Sequence, residues 1–269
     1  MNKTAKIRDF FSELFENKKL MLGLAKNDFK SKYAGSFFGV FWGFALPLVT
    51  ILLFWFVFQL GFKSPPVNDF PFILWFIPAF TAWNYFSETL MATTNTLYDY
   101  NFLVKKVKFP INILPPVKTL SGLFVHFFFI GFTFLMFALY GFPASIYNIQ
   151  VIYYLVCLVV LNLGLAWLVS ALAVFFSDLR NIIIVVTQIG FWMVPIFWNP
   201  NTMNPFVVTI LKLNPMYYIC TGYRDCFVDY KWFWEKPMDT LYFWILTLVL
   251  FIVGIIVYKK MRPHFADVL

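Results

Sequence analysis

Long apolar runs succeed one another along almost the whole chain, each about as long as a helix needs to cross the roughly 30 Å hydrocarbon core of a bilayer. Six stand out, at residues 37–60, 72–96, 113–140, 149–176, 181–198 and 239–258, the fifth being the shortest. The expected fold class is therefore an all-α polytopic membrane protein with six transmembrane helices. Composition agrees: 61% of residues are hydrophobic and 13% charged, where soluble domains carry about a quarter charged. A water-soluble fold is excluded on that ground.

The formal charge of +8 does not point to nucleic acid, because the basic residues sit between and beside the apolar runs. With the N-terminus inside, the cytoplasmic side holds sixteen Lys/Arg and the outer side five, namely Lys63, Lys212, Arg224, Lys231 and Lys236. The positive-inside rule then places both termini in the cytoplasm. Cys157 lies in an apolar run, and Cys220 and Cys226, six apart, face different sides of a helix, so no disulfide framework is expected. The first 36 residues are basic and show no apolar core followed by a small-residue cleavage site, so no cleaved leader is expected.

Three regions follow: a cytoplasmic arm at residues 1–36, a six-span domain at 37–260 and a cytoplasmic tail at 261–269. The arm is expected to end in an amphipathic helix. At 100° per residue Leu22, Ala25, Phe29 and Tyr33 share a stripe, with Lys19, Lys26 and Lys30 in the next row. Such a helix lies on the membrane, its ammonium groups reaching anionic lipid headgroups, or is solvated. Between the fifth and sixth spans, Pro200, Pro205 and Pro215 are followed by Tyr217, Tyr218, Tyr223, Tyr230, Trp232 and Trp234. That mixture predicts short interfacial or re-entrant helices.

Polar residues inside the spans are the candidates for function. Thr81, Asn84, Glu88, Met91 and Asn95 recur at steps of three and four, a largely polar stripe that should not meet lipid. Glu88 is satisfied by neighbouring helices, takes part in conduction, or lies at a span end placed elsewhere than expected. His126 has no second ligand at metal spacing and reads as a packing or hydrogen-bonding residue, so no metal is expected. The loop at 101–110 mixes Phe102, Leu103, Val104, Val107 and Phe109 with Lys105, Lys106 and Lys108, and ends at Pro110. It suits docking on another protein, or on the membrane surface. Asp178 and Arg180 form a similar turn, or neutralise each other at a helix boundary. No phosphate-binding loop, GxSxG or HExxH occurs, so no catalytic residue is assigned; ATP, if used, belongs to another chain.

Taken in order, several runs resemble the type-2 ABC permeases that export O-antigen, capsular polysaccharide and wall teichoic acid. They are Lys32 to Gly35, Gly39 to Trp42 with Pro47, residues 101–110, Asp178 to Arg180, Pro195 to Trp198, Asn214 to Tyr218, Gly222 to Asp225, and the tail from Arg262 to Leu269. The resemblance implies a homodimer bound to two copies of an ABC nucleotide-binding subunit, which would carry ATP and magnesium; this chain would hold no cofactor. Its substrate would be a lipid-linked glycan. The same resemblance implies that residues 101–110 form the main coupling element and the Asp178 turn a second. Met216, Tyr217, Tyr218, Tyr223 and Arg224 would lie on outward gate helices, and the first and fifth spans would line a conduit. The conduit candidates are Asn84, Glu88, Asn95, Gln188, Trp192 and Phe197, since a sugar path needs hydroxyl partners and aromatic faces. An exporter of a lipid or drug, a membrane enzyme acting on lipid-linked sugars, and a passive channel are the competing readings.

Overall fold

The computed structural model describes residues 3–106 and 109–269, with side chains from residue 10 onward. Its helices are α1 (Lys3–Glu16), α2 (Lys18–Ser31), α3 (Trp42–Phe54), α4 (Phe72–Thr94), α5 (Thr96–Asp99), α6 (Asn101–Val104), α7 (Leu114–Leu139), α8 (Val151–Phe175), α9 (Leu179–Met193), α10 (Pro205–Leu211), α11 (Pro215–Arg224), α12 (Pro237–Met261) and α13 (Phe265–Val268). A turn at Gly39–Phe41 and a wider one at Trp55–Gly61 extend α3 at its two ends. Among the described residues the only β pairing is the isolated bridge between Val67 and Phe70.

Each of the six apolar runs contains a helix, and four helical stretches are long and apolar enough to cross a membrane: Gly39–Gly61, Ile111–Leu139, Ile146–Phe175 and Pro237–Val268. The other two differ for separate physical reasons. Helix α4 has 23 residues, about 34 Å at 1.5 Å per residue, but its polar stripe makes it less apolar than the four. Helix α9 has 15 residues, about 22 Å of helix, and stops well before the expected boundary at 198. Pro195 disfavours helical backbone at Val194, which is extended at φ −88 and ψ 140.

Helix α4 is the centre of the bundle. Its inward residues from Phe72 to Phe86 are almost all buried, packed by α7, α8, α9 and α11. Helices α8 and α12 cross most closely. A Cβ on Gly254 would stand 2.2 Å from the Gly164 carbonyl oxygen, and one on Gly164 would stand 2.7 Å from the Phe251 Cα. Small residues at such crossings let two backbones approach where lipid offers no hydrophobic drive. By contrast α3 is loosely attached, with 11% of its apolar window buried. Helix α9 buries Ile183, Thr187 and Gly190 and leaves Ile182, Val185, Val186, Ile189 and Trp192 exposed.

Both ends of the chain meet at one end of the bundle. Phe10 of α1 packs edge-on to Trp167 with ring centroids 5.3 Å apart, and Phe265 of α13 packs on Tyr258 at 5.3 Å. Leu97, Leu103, Val104 and Leu114 complete this second core. Arg262 Nη1 lies 3.4 Å from Glu13 Oε2, and Asn112 donates to the same carboxylate. Arm, tail and the loop after α4 thus form one packed unit.

Candidate functional site

Thr81, Asn84, Glu88 and Asn95 occupy one face of α4 because their spacing follows the helical repeat. Over that face two adjoining clefts of ≈ 420 and ≈ 370 Å³ open between α2, α3, α4 and α7, with Lys32, Tyr33, Glu88 and Thr89 in the walls of both. Asn95 lines the first cleft, Asn84 the second and Glu88 both, so the structure brings these three conduit candidates together.

The arm helix covers this groove and is clasped to it at two points. Lys32 Nζ lies 3.0 Å from Glu88 Oε2, with both side chains about half exposed. Burial acts to lower the Lys32 pKa, but the Glu88 carboxylate outweighs it and holds the ammonium above its ordinary value. The second clasp is buried. Lys118 Nζ, on α7, lies 2.7 Å from Asp28 Oδ1 of α2 and 2.9 Å from Asp99 Oδ2 of α5, with the Lys118 and Asp28 side chains 12% and 10% exposed. Tyr100 donates its hydroxyl to Asp28 Oδ1 at 2.9 Å. Burial, then the negative charges of Asp28 and Asp99, push the Tyr100 phenol above its usual pKa.

The arm stripe is used only in part. Ala25 is buried, Phe29 packs on Phe124 at 5.1 Å, and Tyr33 is half-buried. Leu22 is exposed, as are Lys26 and Lys30.

The loop after α4 is shorter and more inward than its sequence suggests. Helix α6 is one turn long, and Leu103 and Val104 are 8% and 3% exposed, packed into the chain's own second core. They are not free to anchor a partner, which corrects the expectation of a continuous apolar docking face. Phe102 is 58% exposed, Lys105 and Lys106 are exposed, Phe109 and Pro110 are half-buried, and Val107 lies outside the described residues. Arg180 stacks on the Tyr98 ring at 4.1 Å and Asp178 is exposed; among the described residues no ion pair joins Asp178 to Arg180. That stacking places the Asp178 turn against the segment leading to Phe102.

At the opposite end of α4 and α12, α10 and α11 are short helices with Asn204 and Asn214 as N-caps and proline at the first helical position. Met216, Tyr217, Tyr218, Tyr223 and Arg224 are all buried. Tyr218 shares a hydrogen bond with Thr240 Oγ1 at 2.9 Å, and Tyr223 with His126 Nε2 at 2.8 Å. Arg224 donates from Nε to the Trp75 carbonyl at 2.9 Å and from Nη2 to the Ile196 carbonyl at 2.6 Å, lying 3.4 Å over the Trp75 ring. These residues pin α11 to α4, α7 and α12. A polar cleft of ≈ 750 Å³ opens beside them. Within it, burial outweighs the Lys236 ammonium, 2.5 Å away, and pushes the Asp225 carboxyl up to about 6.

Gln188 and Trp192 lie on the exposed face of α9, apart from the groove, and Phe197 is half-buried against Phe191 at 5.7 Å. Sequence reasoning missed Asp28, Asp99, Tyr100 and Lys118. A signal existed for Asp28, which falls three residues after Ala25 on the inward side of the arm; the residues that meet it, Tyr100 and Lys118, are 72 and 90 positions away.

Residues 20–228 match the family model described as ABC-2 type transporter. The chain is also similar to the O-antigen export system permease protein RfbA of Myxococcus xanthus, 23% identical over 257 residues that cover 95% of this chain and 97% of that protein. A second relative, the O-antigen export system permease protein RfbA of Klebsiella pneumoniae, is 26% identical over 262 residues, covering 93% and 95%.

Proposed function

The chain belongs to the ABC-2 type transporter family and is a multi-pass protein of the inner membrane, and on that premise we propose that it is the membrane subunit of an exporter of lipid-linked polysaccharide. The observation that carries the substrate class is the end-to-end correspondence with relatives named as O-antigen export permeases. In this reading six segments cross the membrane between residues 37 and 260, with the arm (1–36) and the tail (261–269) in the cytoplasm. Two copies of the chain assemble with two ATP-binding subunits, which hold ATP and magnesium.

Coupling is carried by Phe102, Lys105 and Lys106, exposed on the turn after α5, with the Asp178 turn beside it through the Arg180 and Tyr98 stack. An exposed aromatic flanked by lysines suits a partner pocket with an acidic rim. The exposed faces of α3 and α9 are large apolar surfaces that lipid or the second copy covers. The experiment is deletion and complementation: loss of the gene should trap lipid-linked glycan on the cytoplasmic side, and re-expression with its ATPase should restore surface glycan. Normal surface glycan in the deletion strain refutes the reading.

A further inference from the structure

Among the described residues, three polar side-chain atoms beside the groove close no hydrogen bond of ordinary length: Thr81 Oγ1, Thr89 Oγ1 and His126 Nδ1. Each belongs to a residue 2% exposed. The Thr81 backbone lies beside the His126 ring as a long hydrogen-bond partner. Tyr85 donates its hydroxyl to the Thr119 carbonyl at 3.0 Å, and its oxygen is a long partner for the Thr89 hydroxyl. A buried polar group left unpaired costs about 1–3 kcal/mol, and lipid offers no substitute partner. All three residues pack around the groove floor on α4 and α7, and Thr81 and His126 line the ≈ 370 Å³ cleft together with Thr89, Asn84 and Thr50. A cleft so lined suits water or a ligand that hydrogen-bonds.

The lining decides what. Among the described residues, the cationic side chains that line the groove are Lys32, already on Glu88, and Lys118, already on Asp28 and Asp99. Three carboxylates against two ammonium groups disfavour a phosphate. Hydroxyls, an amide and an imidazole edge, with Trp42 and Tyr33 on the walls, match an uncharged ring bearing several hydroxyl groups. We propose that this crevice, inside a single subunit, is a binding site for one neutral sugar unit, and that the Lys32–Glu88 pair, which joins the end of the arm helix to α4, is its door. The inference rests on the reading that the chain carries a glycan.

The test uses Thr50→Cys and Asn84→Cys, at partly exposed positions that line the cleft, in the chain assembled with its ATPase, in inside-out vesicles. A small charged thiol reagent is applied, with the parent as background because Cys157, Cys220 and Cys226 are buried. Both reporters should label above the parent. Glucose or galactose at about four times its Kd should slow labelling about fivefold, since protection follows 1 + [L]/Kd, and inorganic phosphate should not. At the Asn84→Cys reporter, Thr81→Val with Thr89→Val, which keeps the shape and removes both hydroxyls, should abolish the sugar's protection. Absence of labelling at both reporters, labelling that neither sugar slows, protection by phosphate, or protection that survives the valines each overturns the site. Export by the parent is measured alongside: export with unprotected reporters refutes the crevice alone, and protected reporters without export refute the transport reading alone.

Discussion

Lys118→Met removes the charge at the centre of the buried clasp while keeping most of the side chain's length. Asp99 is 48% exposed and rehydrates, but Asp28, at 10%, is left with the Tyr100 hydroxyl as its remaining partner in the clasp. Removing one member of a buried pair costs about 3–5 kcal/mol. The half-exposed Asp99 and the surviving Tyr100 bond reduce that, so the expected loss is about 2–4 kcal/mol. Adding Asp28→Asn removes the stranded charge and should return a large part of it, a coupling that a double-mutant cycle measures. The assay is equilibrium unfolding in mixed detergent micelles, followed by tryptophan fluorescence. A Lys118→Met chain within about 0.5 kcal/mol of the parent, the range of ordinary surface changes, would refute the claim that this cluster holds the arm helix in place.

Glu88→Gln breaks an exposed pair and should cost no more than about 1 kcal/mol while lowering export; unchanged export makes Glu88 merely a boundary residue. Leu103→Ala should destabilise the isolated chain by about 2–3 kcal/mol, whereas Phe102→Ala should leave it stable and reduce co-purification of the ATPase; the reverse pattern sinks the assignment of the coupling face. Gly254→Leu drives a side chain into the Gly164 carbonyl and should abolish a monodisperse species in size-exclusion chromatography, while Gly23→Ala, facing open space, should not. Asp225, at about 6 against an ordinary 3.8, binds its proton more tightly when folded. Its contribution therefore falls as pH rises from about 4 to 6 and is level above. Unfolding measured against pH should show that slope, and Asp225→Asn should remove it.

The apolar runs were legible because crossing a bilayer is a local requirement of length and composition, and each run contains a helix. So were the polar face of α4, which follows from helical periodicity alone, and the presence of short helices between the fifth and sixth runs, where prolines are followed by aromatics. The burial of the residues on α11 was not legible, since Tyr223 and Arg224 are satisfied by His126, Trp75 and Ile196, distant in the chain. The loop at 101–110 failed differently: apolar residues next to lysines read the same whether they wait for a partner or turn into their own core. Only the meeting of arm, tail and α8 around Leu103 and Val104 decided it. The sequence by itself thus determined which segments are helices and which face of each is polar, because those depend on neighbours within a few turns. Tertiary structure alone decided which charges are paired and which apolar side chains are free, because Asp28 meets Lys118, and Lys32 meets Glu88, only once α2 has folded back over α4 and α7.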